Sequence, residues 1–93
     1  MLRIPTESVT LLQAAEQDPN GIIMWFEHMS GENIQTNGHN FTEGADARAL
    51  ATWRDALLRL IQARFISQIG SGHLYQITKA GYDYLELLAQ PVE

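Results

Sequence analysis

The chain has no cysteine, so neither a disulfide framework nor a thiolate metal site can form. It has few charges. Asp, Glu, Lys and Arg make up 18% of its 93 residues, below the quarter usual in soluble domains, so much of its surface must be uncharged polar. It has no long apolar run either. The longest, Ile22 to Phe26, is far short of the ~20 residues that span a bilayer. Met1-Leu2-Arg3-Ile4-Pro5 lacks the apolar stretch and small-residue cleavage site of a signal peptide. The expectation is a soluble, cytoplasmic protein with no membrane role. What the chain does have is a 45% hydrophobic fraction, too high for disorder. Its length suits one domain covering residues 1–93.

The net charge of −5 argues against nucleic acid, but it is unevenly spread. Residues 1–43 carry Arg3 against Glu7, Glu16, Asp18, Glu27, Glu32 and Glu43. Residues 44–79 carry Arg48, Arg54, Arg59, Arg64 and Lys79 against Asp46 and Asp55, so five of the six basic residues fall in one block. The last stretch is acidic again, with Asp83, Glu86 and Glu93.

Turn signals divide the chain. Thr6 to Gln17 reads as a helix, with Thr6 as cap, Glu7 at the positive end and Val9, Leu12 and Ala15 on a buried face. Asp18-Pro19-Asn20-Gly21 stops it. Ile22 to Phe26 is β-branched and aromatic and reads as a strand covered on both faces. Asn33 to Thr36 forms a second strand across a Ser30-Gly31 turn, and Asn37-Gly38 is a further turn. The longest helix runs from about Ala45 to Arg64. Leu50, Trp53, Leu57, Leu60 and Ile61 form its core face, and Arg48, Thr52, Asp55 and Arg59 another. Asp55 and Arg59 are spaced for a surface ion pair. Phe65 to Ile69 and Leu74 to Ile77 alternate around Gly70-Ser71-Gly72-His73, a second hairpin. Thr78 caps a last helix, Lys79 to about Ala89, with Tyr82, Leu85 and Leu88 as apolar positions. The order is helix, hairpin, long helix, hairpin, helix, an α+β domain.

From Arg48 to Leu88 the chain resembles a winged-helix domain. The likeness rests on Ala56-Leu57-Leu58-Arg59-Leu60-Ile61-Gln62-Ala63-Arg64-Phe65-Ile66 and on Leu74-Tyr75-Gln76-Ile77-Thr78-Lys79-Ala80-Gly81-Tyr82-Asp83-Tyr84-Leu85. Bacterial winged-helix regulators often show a helix ending in Leu, a Gly-Leu-Ile segment, a hairpin, then Tyr-x-Leu-Thr-x-x-Gly and a helix. Here Ala63-Arg64-Phe65-Ile66 stands at the Gly-Leu-Ile segment, and Tyr75 to Gly81 matches the second motif with Ile for Leu. The resemblance implies a small winged-helix-like fold with the second hairpin as wing. It also implies a DNA-binding transcriptional regulator, with Arg48, Thr52, Arg54 and Arg59 on the long helix and Ser71 and His73 at the wing tip as DNA contacts. One feature departs from the family. Gly31, Asn33, Asn37, Gly38 and Asn40 occupy the stretch where a short second helix is usual, and they suit turns. The rival expectation is therefore a winged-helix variant acting as a protein–protein interaction or dimerisation module of a larger assembly.

No enzyme motif is present. His28, His39 and His73 have no metal-ligand spacing. Ser71, His73 and Asp83 lack a nucleophile-elbow context. Gly70-Ser71-Gly72 lacks the Lys-Ser/Thr of a phosphate loop. Neither a metal nor another cofactor is expected. Tyr82 and Tyr84 sit two apart on one helix and cannot share a core direction, so the surface around Tyr84 and Leu87 is the expected partner or dimer contact.

Overall fold

The computed structural model describes residues 4–28, 31–70 and 72–90. Three helices and five strands follow in the order α1 (Thr6–Gln17), β1 (Ile22–His28), β2 (Gly31–Thr36), β3 (His39–Asn40), α2 (Ala47–Gln62), β4 (Ile66–Ile69), β5 (Leu74–Ile77) and α3 (Lys79–Ala89) among these residues. The strands form one antiparallel sheet ordered β3-β2-β1-β5-β4. Strand β1 is central. It pairs with β2 (Ile23 opposite Thr36, Trp25 opposite Ile34) and with β5 (Ile23 opposite Tyr75).

Alternation along the strands separates two faces. Ile23, Ile34, Thr36, Ile66, Tyr75 and Ile77 are buried, with Leu11, Leu12, Ala15, Ala56, Leu57, Leu60, Phe65 and Leu85 of the helices and connections. Met24 and Leu74, paired on the opposite face, are each 37% exposed. The expectation that β1 is covered on both faces is therefore corrected. Its five-residue apolar run buries only the helix side, and Met24 faces outward.

Other corrections are local. Thr6 is the first residue of α1 rather than its cap. Pro5 takes the cap position, its carbonyl accepting the Val9 N–H at 3.1 Å, with no side-chain cap bond. The buried face of α1 also includes Ser8 and Leu11, whereas Val9 is only half-buried. The first hairpin gains a short third strand. Asn37 (φ 52) and Gly38 (φ 75) make the turn into β3, the paired positive φ of a type I′ turn. Between β3 and α2, Thr42 forms a corner. Its hydroxyl accepts from the Ile34 N–H at 3.3 Å and donates to the Glu32 carbonyl at 2.9 Å, closing the corner after β3. Asp46 then caps α2, accepting from the Ala49 N–H at 2.8 Å, so α2 starts two residues later than its periodicity suggests.

Thr78 caps α3 as expected, accepting from the Gly81 N–H at 3.1 Å. It also donates to the Arg64 carbonyl at 2.6 Å, tying the exit of α2 to the start of α3. Gly81 lies against the Phe65 backbone, where a side chain would collide. On α3, Leu85 is buried but Tyr82 and Leu88 are 40% and 47% exposed, so they are not core positions.

Candidate nucleic-acid interface and the Trp25–Glu32–Arg54 corner

The outward face of α2 follows from its periodicity. Arg48, Thr52, Asp55 and Arg59 are all exposed, and Leu57 and Leu60 point into the core. The Thr52 hydroxyl donates to the Arg48 carbonyl at 3.0 Å. Arg59 Nε stands 3.5 Å from Asp55 Oδ2, the expected i,i+4 pair. Arg48 makes no ion pair among the described residues.

Arg54 is placed differently. It sits about a third of a turn round the helix from that face and reaches the sheet, where Nε donates to Glu32 Oε2 at 3.2 Å and its terminal nitrogen donates to Oε1. The Glu32 side chain is only 11% exposed and also accepts from Trp25 Nε1 at 3.0 Å. The Arg54 hydrogen bonds hold the Glu32 carboxyl below its usual range. Burial opposes this, and the Trp25 hydrogen bond and the Arg54 charge reinforce it. Trp25 in turn leans on Tyr75, ring centres 6.2 Å apart. Sequence reasoning missed this corner. Residue types alone carry no signal for it, because it depends on the hairpin register, which sets Glu27 opposite Glu32, where a nearby cation relieves the repulsion between like charges.

At the tip of the β4–β5 hairpin, His73 is exposed, and Gly70 (φ 64) and Gly72 (φ 114) take the left-handed turn conformations. Ser71 lies outside the described residues. The basic block is thus dispersed: Arg54 is bound to Glu32, Arg59 to Asp55 and Lys79 to Asp83 at 2.9 Å. On α3, Tyr84 is half-buried and stacks on Phe65 with centres 4.6 Å apart. Tyr82 is the exposed tyrosine of the two, and Leu87 is 62% exposed. No helix among the described residues is long and apolar enough to cross a membrane. No group of three His, Asp or Glu among them is placed to hold a metal ion.

Comparison with known protein families, curated proteins and solved structures finds no match.

Proposed function

We propose that the chain is a winged-helix-type DNA-binding regulatory domain. In this reading α2 offers Arg48, Thr52 and Arg59 to a duplex, and the β4–β5 hairpin serves as the wing, with His73 at its tip. The observation that carries it is the arrangement of the second half. A long helix whose outward face carries Arg48, Thr52, Asp55 and Arg59 feeds through a short connection into a two-stranded hairpin, followed by a helix capped by Thr78 and seated by Gly81. Arg54 is not part of the contact set, because Glu32 neutralises it. Arg48, Arg59 and the exposed Arg64 leave about three phosphate contacts per chain, a salt slope near −3.

A second reading keeps the scaffold as a protein-interaction or dimerisation module. Charge cancellation along the basic block and the 62% exposure of Leu87 favour it.

The test is fluorescence anisotropy of a labelled mixed-sequence duplex at about 50 mM and about 200 mM salt, where three phosphate contacts predict a roughly 40-fold loss of affinity. Arg48→Ala/Arg59→Ala should flatten that dependence by about two units of slope. No binding at low salt with protein well above micromolar eliminates the DNA reading and leaves the interaction module.

A further inference from the structure

All three helices pack on one side of the sheet, and among the described residues no element covers the other. The strand register sets a single row across that open side. Asn40, Gln35, Met24, Leu74 and Ile69 stand directly opposite one another in turn, one from each of the five strands. Residues paired in this way project from the same face. A second row, Ile22, Gln76 and Ser67, runs beside it across β1, β5 and β4. An antiparallel sheet with one face in water ordinarily places polar residues there. Here the open side carries Met24 and Leu74, each 37% exposed, with the half-buried Ile22 and Ile69 beside them. Single exposed apolar residues are ordinary, but a contiguous group marks a contact surface.

The polar chemistry of this side selects its occupant. Among the described residues it carries no Asp, Glu, Lys or Arg. The charged strand residues Glu27 and Glu32 oppose each other on the helix side, where Glu32 meets Arg54. A partner of opposite charge therefore has nothing here to recognise. The polar groups are instead the amides of Gln35 and Gln76 and the hydroxyl of Ser67, each of which both donates and accepts. Self-association requires such groups, because a two-fold contact brings the same patch of both copies together. Carboxylates meeting across that axis repel, whereas amides hydrogen-bond. The net charge of −5 opposes the approach of two copies, and on this side they meet without bringing carboxylates together. Strands of seven, six, two, four and four residues cover a flat footprint of about 375 Å² at ~3.4 Å per residue and ~4.8 Å per strand. Two copies laid together bury about twice that before side-chain relief is added, the small end of specific interfaces, which makes the pair reversible.

We propose that a second copy of the chain stacks on this side, open sheet face to open sheet face, as a weak two-fold dimer centred on Met24 and Leu74. Sheets packed face to face stand ~10 Å apart with their side chains interleaved. The apolar group provides the attachment, and Gln35 and Gln76 of the two copies hydrogen-bond around it. This gives the dimerisation reading a contact of its own, on the sheet rather than on α3. It does not rest on the DNA reading, because α2 lies on the far side of the sheet.

The test is sedimentation equilibrium of the full chain from about 10 μM to about 1 mM, the range of a weak contact. The average mass should climb toward that of two chains and no further. Raising salt from about 50 mM to about 500 mM should tighten the pair, since it screens the repulsion between two acidic chains. Binding to DNA responds in the opposite sense. Leu74→Lys and Met24→Lys, on adjacent strands, should each weaken association at least about tenfold, because each puts two like charges into the contact. Both residues are part-exposed, so melts followed by circular dichroism should stay near that of the parent. Leu87→Lys on α3 should leave association unchanged. Four results overturn the proposal: a monomer at about 1 mM, a mass that rises past two chains, association indifferent to both sheet variants, or association weakened by salt. If Leu87→Lys abolishes association and the sheet variants do not, the dimer forms through α3, and the dimerisation reading survives without this face.

Discussion

Arg54 and Glu32 lie 22 residues apart in the chain, yet the Arg54 guanidinium grips both oxygens of the Glu32 carboxylate from across the core edge. The contact joins α2 to β2. It also fixes the orientation of Trp25, whose indole N–H shares the same carboxylate.

This corner makes stability acid-sensitive. The Glu32 carboxyl lies below its ordinary value in the folded protein. A depressed carboxyl contributes stability above its unfolded pKa and loses it as pH falls through the folded one. Thermal melts from neutral to acid pH should therefore show a drop, beginning near the ordinary glutamate range of about 4, that Glu32→Gln reduces. Trp25→Phe, which removes the indole donor, should cost about 0.5–1.5 kcal/mol at neutral pH in chemical denaturation.

The joint between α2 and α3 rests on Thr78. Its hydroxyl accepts from Gly81 and donates to Arg64, so Thr78→Ala loses a helix cap and a second bond together. Loss of the cap alone costs about 1 kcal/mol, and Thr78→Ser should restore most of it. Gly81→Ala should cost about 1–3 kcal/mol because the new methyl meets the Phe65 carbonyl. Urea midpoints of the three variants measure both effects.

These two sites mark what was legible in the sequence. Thr78 and Gly81 act locally, within one turn of their own helix, so the motif that contains them announces both cap and close approach. The same holds for the α2 stripe of Arg48, Thr52, Asp55 and Arg59, which helical spacing alone puts on one face. Glu32 acts through partners on another strand and another helix. Its role depends on strand register and on which way α2 faces the sheet, neither of which a pattern of residue types contains. The cover on β1 was illegible for the same reason. Ile22 to Phe26 is apolar throughout, and only the placement of all three helices on one side exposes Met24. Asn37-Gly38 revealed a turn, but the two-residue strand behind it is too short to leave a pattern.

Leu57 tests the assignment of the α2 core face. It is fully buried, whereas Trp53 is half-buried and rests on Phe41 at 5.1 Å between ring centres. Leu57→Ala should cost about 2–5 kcal/mol. Trp53→Ala should cost less than a fully buried tryptophan would, because water already reaches part of its ring. Equilibrium denaturation of the pair checks the order.

Arg54 and Arg59 stand five residues apart on α2 and both face a carboxylate, yet they should respond differently to removal. Asp55 and Arg59 are more than half exposed, at 58% and 57%, and 3.5 Å apart. Water and salt screen such a pair, and it is worth a few tenths of a kcal/mol. Arg59→Ala should leave the melting temperature almost unchanged. Glu32, in contrast, is 11% exposed, and Arg54→Ala leaves its carboxylate with only the Trp25 indole as a side-chain donor. That variant should melt clearly lower at neutral pH. The deficit should narrow in acid, where Glu32 takes up a proton, and persist in high salt, which screens exposed pairs more than shielded ones. If salt instead erases the difference between the two variants, the Glu32 pair behaves as a surface contact and the corner does not hold Trp25 in place.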